Sequence, residues 1–322
     1  MILVTGATGF LGAELAKELI LRGNYIRCTK RASSVIPDLL LPYPAKIEWV
    51  DADLMDAFAL EAALDGITEV YNCAAWVSLK AADKNPMIRT NVRGTATLVD
   101  FCTEKNIRMV HTSSVAAVGE AKPGELINEN HHLDPTLEND GYAISKLESE
   151  MEVWRGIAEG LDAVIVNPTI ILGASAGIEG SGQIFETVRK GLKFYTSGTM
   201  GFVDVQDVAK CMIALMDSDI SGERYIINGE NRSYQQLFSE IAGFLGVPAP
   251  AKLAKPWLME VAWRGASLWG SLTGHDPAID KTSAKAASVV REFDTSKIRK
   301  AIGFEFKPLS ETVKEVCESF KD

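Results

Sequence analysis

Positive charge is in short supply in this chain of 322 residues. Its 33 lysines and arginines are outnumbered by 43 aspartates and glutamates, which gives a formal net charge of −10 at pH 7. Binding to a phosphate backbone or an anionic lipid surface depends on clustered basic side chains that release counterions. The composition therefore argues against nucleic acid as a partner.

Cysteine is also scarce, and its few copies lie far apart in the sequence. The five are Cys28, Cys73, Cys102, Cys211 and Cys317. An odd number without a CxxC pair favours reduced core thiols over disulfides. Neither the cysteines nor the histidines have metal-ligand spacing, so we expect no metal site. The start, from Met1 straight into Ile2, lacks the charged region of a signal peptide, and we expect a cytoplasmic protein.

Long apolar runs are missing as well, since a membrane-spanning helix needs about 20 apolar residues. The best candidate, 256–274, is interrupted by Glu260 and Arg264. Its apolar positions between Trp257 and Trp269 recur near helical spacing, which predicts a packed amphipathic helix. A membrane-surface anchor is the lesser alternative, and we expect no membrane span.

The first 170 residues alternate short β-rich apolar runs with helical patterns, which predicts βαβ units and a parallel sheet. The predicted strands, apolar enough to be buried on both faces, are Ile2–Thr5, Tyr25–Lys30, Ile47–Val50, Glu69–Ala74, Met109–Thr112 and Ala163–Asn167. The predicted helices between them are Phe10–Arg22, Ala57–Leu64, Pro86–Lys105 and Ala143–Glu159. Further along, the pattern predicts a helix at Val205–Met216 and a strand at Tyr225–Asn228.

A glycine-rich turn follows the first predicted strand and precedes the first predicted helix. It reads Gly6, Ala7, Thr8, Gly9, Phe10, Leu11, Gly12. The first N–H groups of such a helix bind the pyrophosphate of a dinucleotide, and residues without a Cβ let the phosphate approach closely. A purely structural tight turn is the alternative, but the position directly after the first strand favours a cofactor.

The end of the second predicted strand bears on the choice between the two nicotinamide cofactors. An acidic residue there would bind the ribose 2′-hydroxyl of NAD, whereas a basic residue accepts the 2′-phosphate of NADP. The sequence has Lys30 and Arg31 at this point and no acid nearby. Charge-assisted bonds from Arg31, helped by Lys30 and Ser33, favour NADP over NAD, with a solvated basic loop as the alternative.

Tyr142 and Lys146 lie four residues apart at the start of a predicted helix and so share one of its faces. A tyrosine with a pKa near 10 transfers protons poorly at neutral pH, and a nearby cation favours the phenolate. Ser113 and Ser114 end the strand Met109–Thr112 at the carboxyl edge of the sheet, where folds of this kind place their sites. We therefore predict that Tyr142 transfers a proton and that Lys146 lowers the pKa of its phenol.

The glycine turn, the Thr-Ser-Ser run ending at Ser114 and the YxxxK motif together resemble the extended short-chain dehydrogenases/reductases. This group is the NAD-dependent epimerase/dehydratase superfamily, and the motif forms are most similar to its dihydroflavonol 4-reductase, cinnamoyl-CoA reductase and aldehyde reductase branch. The resemblance implies an α/β fold with a Rossmann-type doubly wound parallel sheet and a smaller, mostly C-terminal α/β substrate lobe. The implied division is 1–170 for dinucleotide binding and 171–322 for substrate, with about 202–228 returning to the main domain.

The same resemblance implies roles for individual residues. Ser114 would polarise a substrate carbonyl, and Asn91 would support the active-site backbone and a water relay. Further cofactor contacts implied by the motifs are Asp53 and Leu54 at the adenine, Cys73, Ala74 and Ala75 at the nicotinamide ribose, and Asn167, Pro168 and Thr169 along the nicotinamide. Residues that could line a substrate pocket are Trp76, Ser78, His131, His132 and Tyr195.

The function that this resemblance implies is NADP(H)-dependent reduction of a small or medium carbonyl compound to an alcohol, with Tyr142 as the proton donor. An NAD-dependent nucleotide-sugar epimerase is the second choice, although Lys30 and Arg31 disfavour it. A cofactor-binding regulator without catalysis is the alternative from another class, and the intact Ser114, Tyr142 and Lys146 argue against it. The resemblance also leads us to expect a homodimer.

Overall fold

The structure is a computed structural model, and it describes residues 1–78, 80–122, 124–136, 140–255 and 288–320. The predicted helix between Trp257 and Trp269 lies outside the described residues. In chain order, the described strands are β1 Ile2–Thr5, β2 Ile26–Lys30, β3 Ile47–Asp51, β4 Glu69–Asn72, β5 Arg108–Thr112, β6 Ala163–Pro168, β7 Ile170–Leu172, β8 Phe194–Tyr195, β9 Thr199–Asp204, β10 Glu223–Ile227, β11 Glu230–Ser233 and β12 Lys252–Leu253.

The described α-helices lie between and after these strands. They are α1 Phe10–Leu21, α2 Ala57–Ala63, α3 Lys84–Lys105, α4 Gly141–Ala158, α5 Gly182–Arg189, α6 Val205–Met216, α7 Tyr234–Leu245, α8 Ser296–Ile302 and α9 Leu309–Ser319. Every predicted strand and helix within the described residues is present, with ends that shift by at most two residues.

Seven parallel strands form the central sheet, in the order β3-β2-β1-β4-β5-β6-β10. The order reverses at β1, which has β2 on one side and β4 on the other. In doubly wound sheets, ligands bind beyond the carboxyl ends of the strands at such a reversal. The turn after β1 therefore occupies the position in the fold that is best suited to a cofactor.

Helices cover both faces of this sheet because successive side chains of each strand point in opposite directions. On one face Val4, Val110 and Val166 pack against α1 and α6. On the other face Leu3 and Met109 pack against α3 and α4, among other buried apolar residues. The double burial explains why the strands are apolar throughout rather than alternating.

A second group of elements packs beside the sheet. It contains the three-stranded sheet β11-β9-β7, the short pair β12-β8, and the helices α5, α7 and α9 around their own apolar cluster. In contrast, β10 pairs with β6 in the main sheet, and α6 packs on its face. The strand predicted at Tyr225–Asn228 thus returns to the main sheet, whereas β9, whose last three residues fall within 202–228, belongs to the smaller one.

Arg108 connects β5 to the carboxyl end of α6. Its guanidinium donates to the carbonyl oxygens of Met216, Ser218 and Ile220 at 3.1, 2.8 and 2.7 Å, and also to that of Leu215. The side chain is only 16% exposed, and it also forms an ion pair with a carboxylate. One buried cation thereby binds the orphan carbonyls at a helix end and anchors the chain before it enters β10.

We predict that Arg108→Met lowers the free energy of unfolding by about 3 kcal/mol, because several buried carbonyls lose a charged donor. The matched control is Arg155→Met. Arg155 contacts three carboxylates but is 37% exposed, and its loss costs less than about 1 kcal/mol. Urea unfolding of both variants checks this, and equal losses would contradict the anchoring role of Arg108.

Candidate active site

The turn between β1 and α1 is built from contacts that tolerate no Cβ. Gly6 has a φ of +69°, and a Cβ there would lie 2.7 Å from the backbone of Ala74. A Cβ on Gly12 would lie 2.2 Å from the carbonyl oxygen of Gly6. The glycines thus bring the turn against the segment that follows β4, where Ala74 N donates to Thr5 Oγ1 at 3.2 Å. This contact ends β4 at Asn72, two residues earlier than predicted.

The amino end of α1 is suited to a bound anion. Gly9 is the N-cap, no side chain caps the helix, and no acidic residue lies in its first turn. The orphan N–H groups and the helix dipole at such an end favour phosphate. The cradle without Cβ atoms and this uncapped helix start fit the pyrophosphate of a dinucleotide.

A cavity of about 400 Å³ extends from this turn towards β2 and β3. The predicted cofactor residues in its wall are Gly6, Thr8, Gly9, Lys30, Arg31, Asp53, Leu54, Cys73, Ala74 and Ala75. Sequence reasoning missed Thr29 and Thr90, which line it too, and the structure places Ser34 rather than Ser33 in the wall.

The two basic residues in this wall differ in their surroundings. Lys30 forms an ion pair with Asp51 of the neighbouring strand, and its side chain is 20% exposed. Arg31 is exposed, and within the described residues no hydrogen bond or ion pair holds its side chain. The Arg31 guanidinium is therefore the more available of the two charges.

A second cavity of about 580 Å³ shares Gly6, Gly9, Cys73, Ala75 and Val77 with the first. The predicted residues in its wall are Phe10, Leu11, Gly12, Ser114, Tyr142, Lys146, Pro168 and Thr169. The structure thus brings the predicted catalytic triplet and the glycine turn to one continuous space at the carboxyl edge of the sheet.

Tyr142 is held at the start of α4, where Asp140 caps the helix by accepting from Tyr142 N at 2.9 Å. One turn further, Lys146 Nζ donates to the carbonyl oxygen of Thr112 at 3.0 Å. Ser114, two residues after that carbonyl, lies in the same cavity wall as Tyr142, and its hydroxyl lowers the pKa of the phenol. The end of β5 and the start of α4 therefore place the hydroxyl, the phenol and the ammonium together.

Burial changes the protonation of both α4 residues. It lowers the pKa of Lys146 from its usual 10.5 to about 8, and the neighbouring Cys73 and Glu150 only partly oppose this. It raises the pKa of Tyr142, while the hydrogen bond from Ser114 works in the other direction by favouring the phenolate. The serine is therefore the neighbour that makes the buried phenol a better proton carrier.

Asn91 lies behind the cavity on α3. Its side chain accepts from Trp76 N at 2.7 Å and donates to Trp76 O at 2.8 Å and to Ser145 Oγ at 2.7 Å. Asn91 thereby connects the segment after β4 to Ser145, which lies between Tyr142 and Lys146 on α4. The predicted backbone support has a structural basis, whereas the predicted water relay stays a prediction.

Several predicted residues lie elsewhere. Asn167 is fully buried and outside both cavity walls. Of the suggested substrate contacts, Trp76 lines the cofactor cavity, and His132 lines a separate cavity beside α4. The substrate side instead includes Arg291 and residues that sequence reasoning missed: Val115, Val118, Glu120, Ile127, Leu133, Met200 and Phe293.

Comparisons with known proteins agree with this geometry. Residues 2–228 match the family described as "NAD dependent epimerase/dehydratase family". The chain is 33% identical over 262 residues to the sterol demethylase protein B of Methylococcus capsulatus, covering 80% of this chain and 78% of that protein. It is 30% identical to the "Putative dihydroflavonol 4-reductase" of Synechocystis sp., covering 99% and 94% of the two chains. The crystal structure of gox2253 superposes with a TM-score of 0.86 at 29% identity, covering 100% and 98%.

The fold and the site thus define a dinucleotide-dependent oxidoreductase, and the predicted resemblance is confirmed. The chain belongs to the NAD dependent epimerase/dehydratase family, the extended short-chain dehydrogenases/reductases. Within the described residues, no helix is long and apolar enough to cross a membrane. Nor does that part of the chain contain a cluster of three or more side chains suited to a metal ion.

We predict that Lys146→Met stabilises the protein by about 1–3 kcal/mol at pH 7. The folded-state pKa of Lys146, about 8, is below its unfolded value, so a buried charge opposes folding at pH 7. Between pH 8 and 10.5 the unfolded chain keeps a proton that the folded chain has released, so wild-type stability rises relative to the variant. Urea unfolding at pH 7 and pH 10 measures both effects.

The control for this variant is Lys300→Met on α8, because Lys300 is exposed. It should change the stability by less than about 0.5 kcal/mol at either pH. A Lys146→Met protein that is less stable at pH 7, or whose gain persists unchanged at pH 10, would show that burial of the ammonium carries no such cost.

Proposed function

We propose that this protein is an NADP(H)-dependent reductase that converts a small or medium carbonyl compound to an alcohol. The observation that carries the proposal is the meeting of Ser114, Tyr142 and Lys146 in one cavity that continues into the glycine turn. The name of one relative, the putative dihydroflavonol 4-reductase of Synechocystis sp., also supports a reductase.

In this proposal the bound cofactor supplies the hydride, and the protein supplies position and charge. Ser114 and Tyr142 donate hydrogen bonds to the substrate carbonyl oxygen, which polarises the carbonyl. Tyr142 then gives its proton to the developing alkoxide. Lys146 stabilises the phenolate that remains, from a position held by the Thr112 carbonyl.

We propose NADP as the preferred cofactor because Arg31 presents an exposed guanidinium in the wall of the cavity beyond β2. Such a group binds a phosphate through two parallel hydrogen bonds. Ser34 in the same wall offers a hydroxyl. Lys30 contributes a second positive charge in the same wall, although Asp51 already neutralises part of it.

The substrate side of the larger cavity is mainly apolar. Val115, Val118, Ile127 and Phe293 form one buried cluster there, and Met200 packs against it. The cavity volume of about 580 Å³ suits a ligand of small to medium size,. We therefore propose a largely apolar carbonyl substrate whose reacting oxygen faces Ser114 and Tyr142.

We further propose a cytoplasmic homodimer. All five cysteines are free thiols, which suits a reducing compartment,. On α4, Met151 is 58% exposed, and Trp154 is only partly buried. Apolar surface of this kind on a long helix is suited to packing against a second copy.

We predict that Tyr142→Phe lowers the turnover number by about 100-fold or more, because the proton donor is lost. Oxidation of NADPH is followed by absorbance against aromatic aldehydes, aliphatic ketones and a steroid ketone. NADPH affinity should change little. Wild-type protein that binds cofactor but oxidises it with none of these compounds would overturn the reductase proposal. Tight co-purification of NAD would then favour a nucleotide-sugar epimerase.

We predict that Arg31→Ala weakens NADPH binding by about ten- to a hundredfold and leaves NADH binding nearly unchanged, because one charged phosphate contact is lost. Fluorescence titration with both cofactors measures the two dissociation constants. The control is Arg189→Ala on α5, whose arginine is 49% exposed and outside both cavities. An equal loss for NADPH and NADH would contradict a contact to the 2′-phosphate.

A further inference from the structure

Asn167 lies at the end of β6, directly behind the catalytic serine. Its side-chain nitrogen donates to the carbonyl oxygen of Ser114 at 3.0 Å and to Glu150 Oε2 at 2.8 Å. A carbonyl and a carboxylate both accept only, so a nitrogen is required at both contacts. One buried amide group therefore connects the serine backbone to α4.

Glu150 is itself held by two further donors. Arg224 on β10 forms an ion pair with Glu150 Oε1 at 2.9 Å, and Trp154 Nε1 donates to the same oxygen at 3.2 Å. The two charged side chains are 8% and 2% exposed. Arg224 also donates to the carbonyl oxygens of Glu129 and His131. Movement of the carboxylate would leave a buried charge uncompensated, which is strongly unfavourable.

These contacts close a ring of connections around the site. Glu150 and Tyr142 belong to the same helix, and Tyr142 lines the same cavity wall as Ser114. The backbone of Ser114 returns through Asn167 to Glu150. The positions of the serine and the tyrosine therefore both depend on one buried carboxylate, that of Glu150.

We propose that Asn167 is a positioning residue, which holds Ser114 by its backbone so that the serine hydroxyl meets the phenol of Tyr142, and that Glu150 and Arg224 set the orientation of its amide. This inference rests on the proposed roles of Ser114 and Tyr142. Asn167 touches neither cavity, so it acts only through the serine.

The experiment follows the phenol directly, without need of a known substrate. Full-length wild type and Asn167→Ala, labelled with ¹³Cζ-tyrosine and saturated with NADP⁺, are compared by NMR from pH 7 to 12, since burial raises the pKa of Tyr142 above its usual value. The Tyr142 resonance is assigned with Tyr142→Phe. We expect its titration to move up by about one pH unit in Asn167→Ala, because the serine bond that favours the phenolate is lost. NADP⁺ affinity should stay within about twofold.

Asn167→Ala replaces none of the charged or titratable side chains around the phenol. The charged or titratable side chains of the same cavity are Cys73, Glu120, Asp140, Lys146 and Arg291, and Glu150 lies behind it. The matched control is Thr312→Val on α9, which removes a buried hydrogen bond of 2.8 Å to Asp204 far from the serine. It should lower the melting temperature comparably but leave the Tyr142 resonance in place.

A Tyr142 resonance that is the same in Asn167→Ala and wild type over the whole pH range would overturn the inference. If Asn167→Ala does not fold, Asn167→Ser gives the test, since its shorter side chain cannot bridge both acceptors. Turnover in the carbonyl assay should fall about tenfold for the variant. Failure of the wild type to reduce any carbonyl would overturn the proposed function instead, and the resonance would still decide the role of Asn167.

Discussion

The close packing of the turn after β1 against the segment after β4 is the constraint on which the rest of the site depends. Gly6 lies so near Ala74 that any side chain would collide with the backbone, and a Cβ on Gly12 would lie even closer to Gly6. Because the sheet order reverses at β1, the helices that follow these two segments, α1 and α3, lie on opposite faces of the sheet and leave a space beyond the ends of the strands. Both cavities open from that space and share its glycines.

The two faces of the sheet contribute different parts of the site. On one face, α1 presents its uncapped amino end to the cavity. On the other face, α3 and α4 supply Asn91, Tyr142 and Lys146, and their positions are set by hydrogen bonds to the ends of β4 and β5. The part proposed to bind the cofactor and the part proposed to transfer the proton thus meet at the carboxyl edge of the strands.

Much of this could be predicted from the sequence because the relevant signals are local. The glycine turn and the four-residue spacing of Tyr142 and Lys146 determine their own geometry, and buried parallel strands produce unmistakable apolar runs. Arg291 and Phe293 could not be placed, because contacts with β9 and with residue 127 bring them to the site from far along the chain. The direction of the Asn167 side chain could have been predicted. Ala163 and Ile165 face α3 and α4, and the two-residue period of a strand places Asn167 on the same face.

The position of β10 has a consequence for how the chain is made. The last strand of the main sheet follows β7, β8, β9 and α6 in sequence, so β6 has no partner on its outer edge until residues 223–227 have been synthesised. Because translation adds about 5–20 residues per second, the outer edge of β6 stays unpaired for several seconds. Such an edge is a template for pairing with other chains. During translation, the incomplete sheet therefore exposes an edge of β6 that β10 covers in the finished protein.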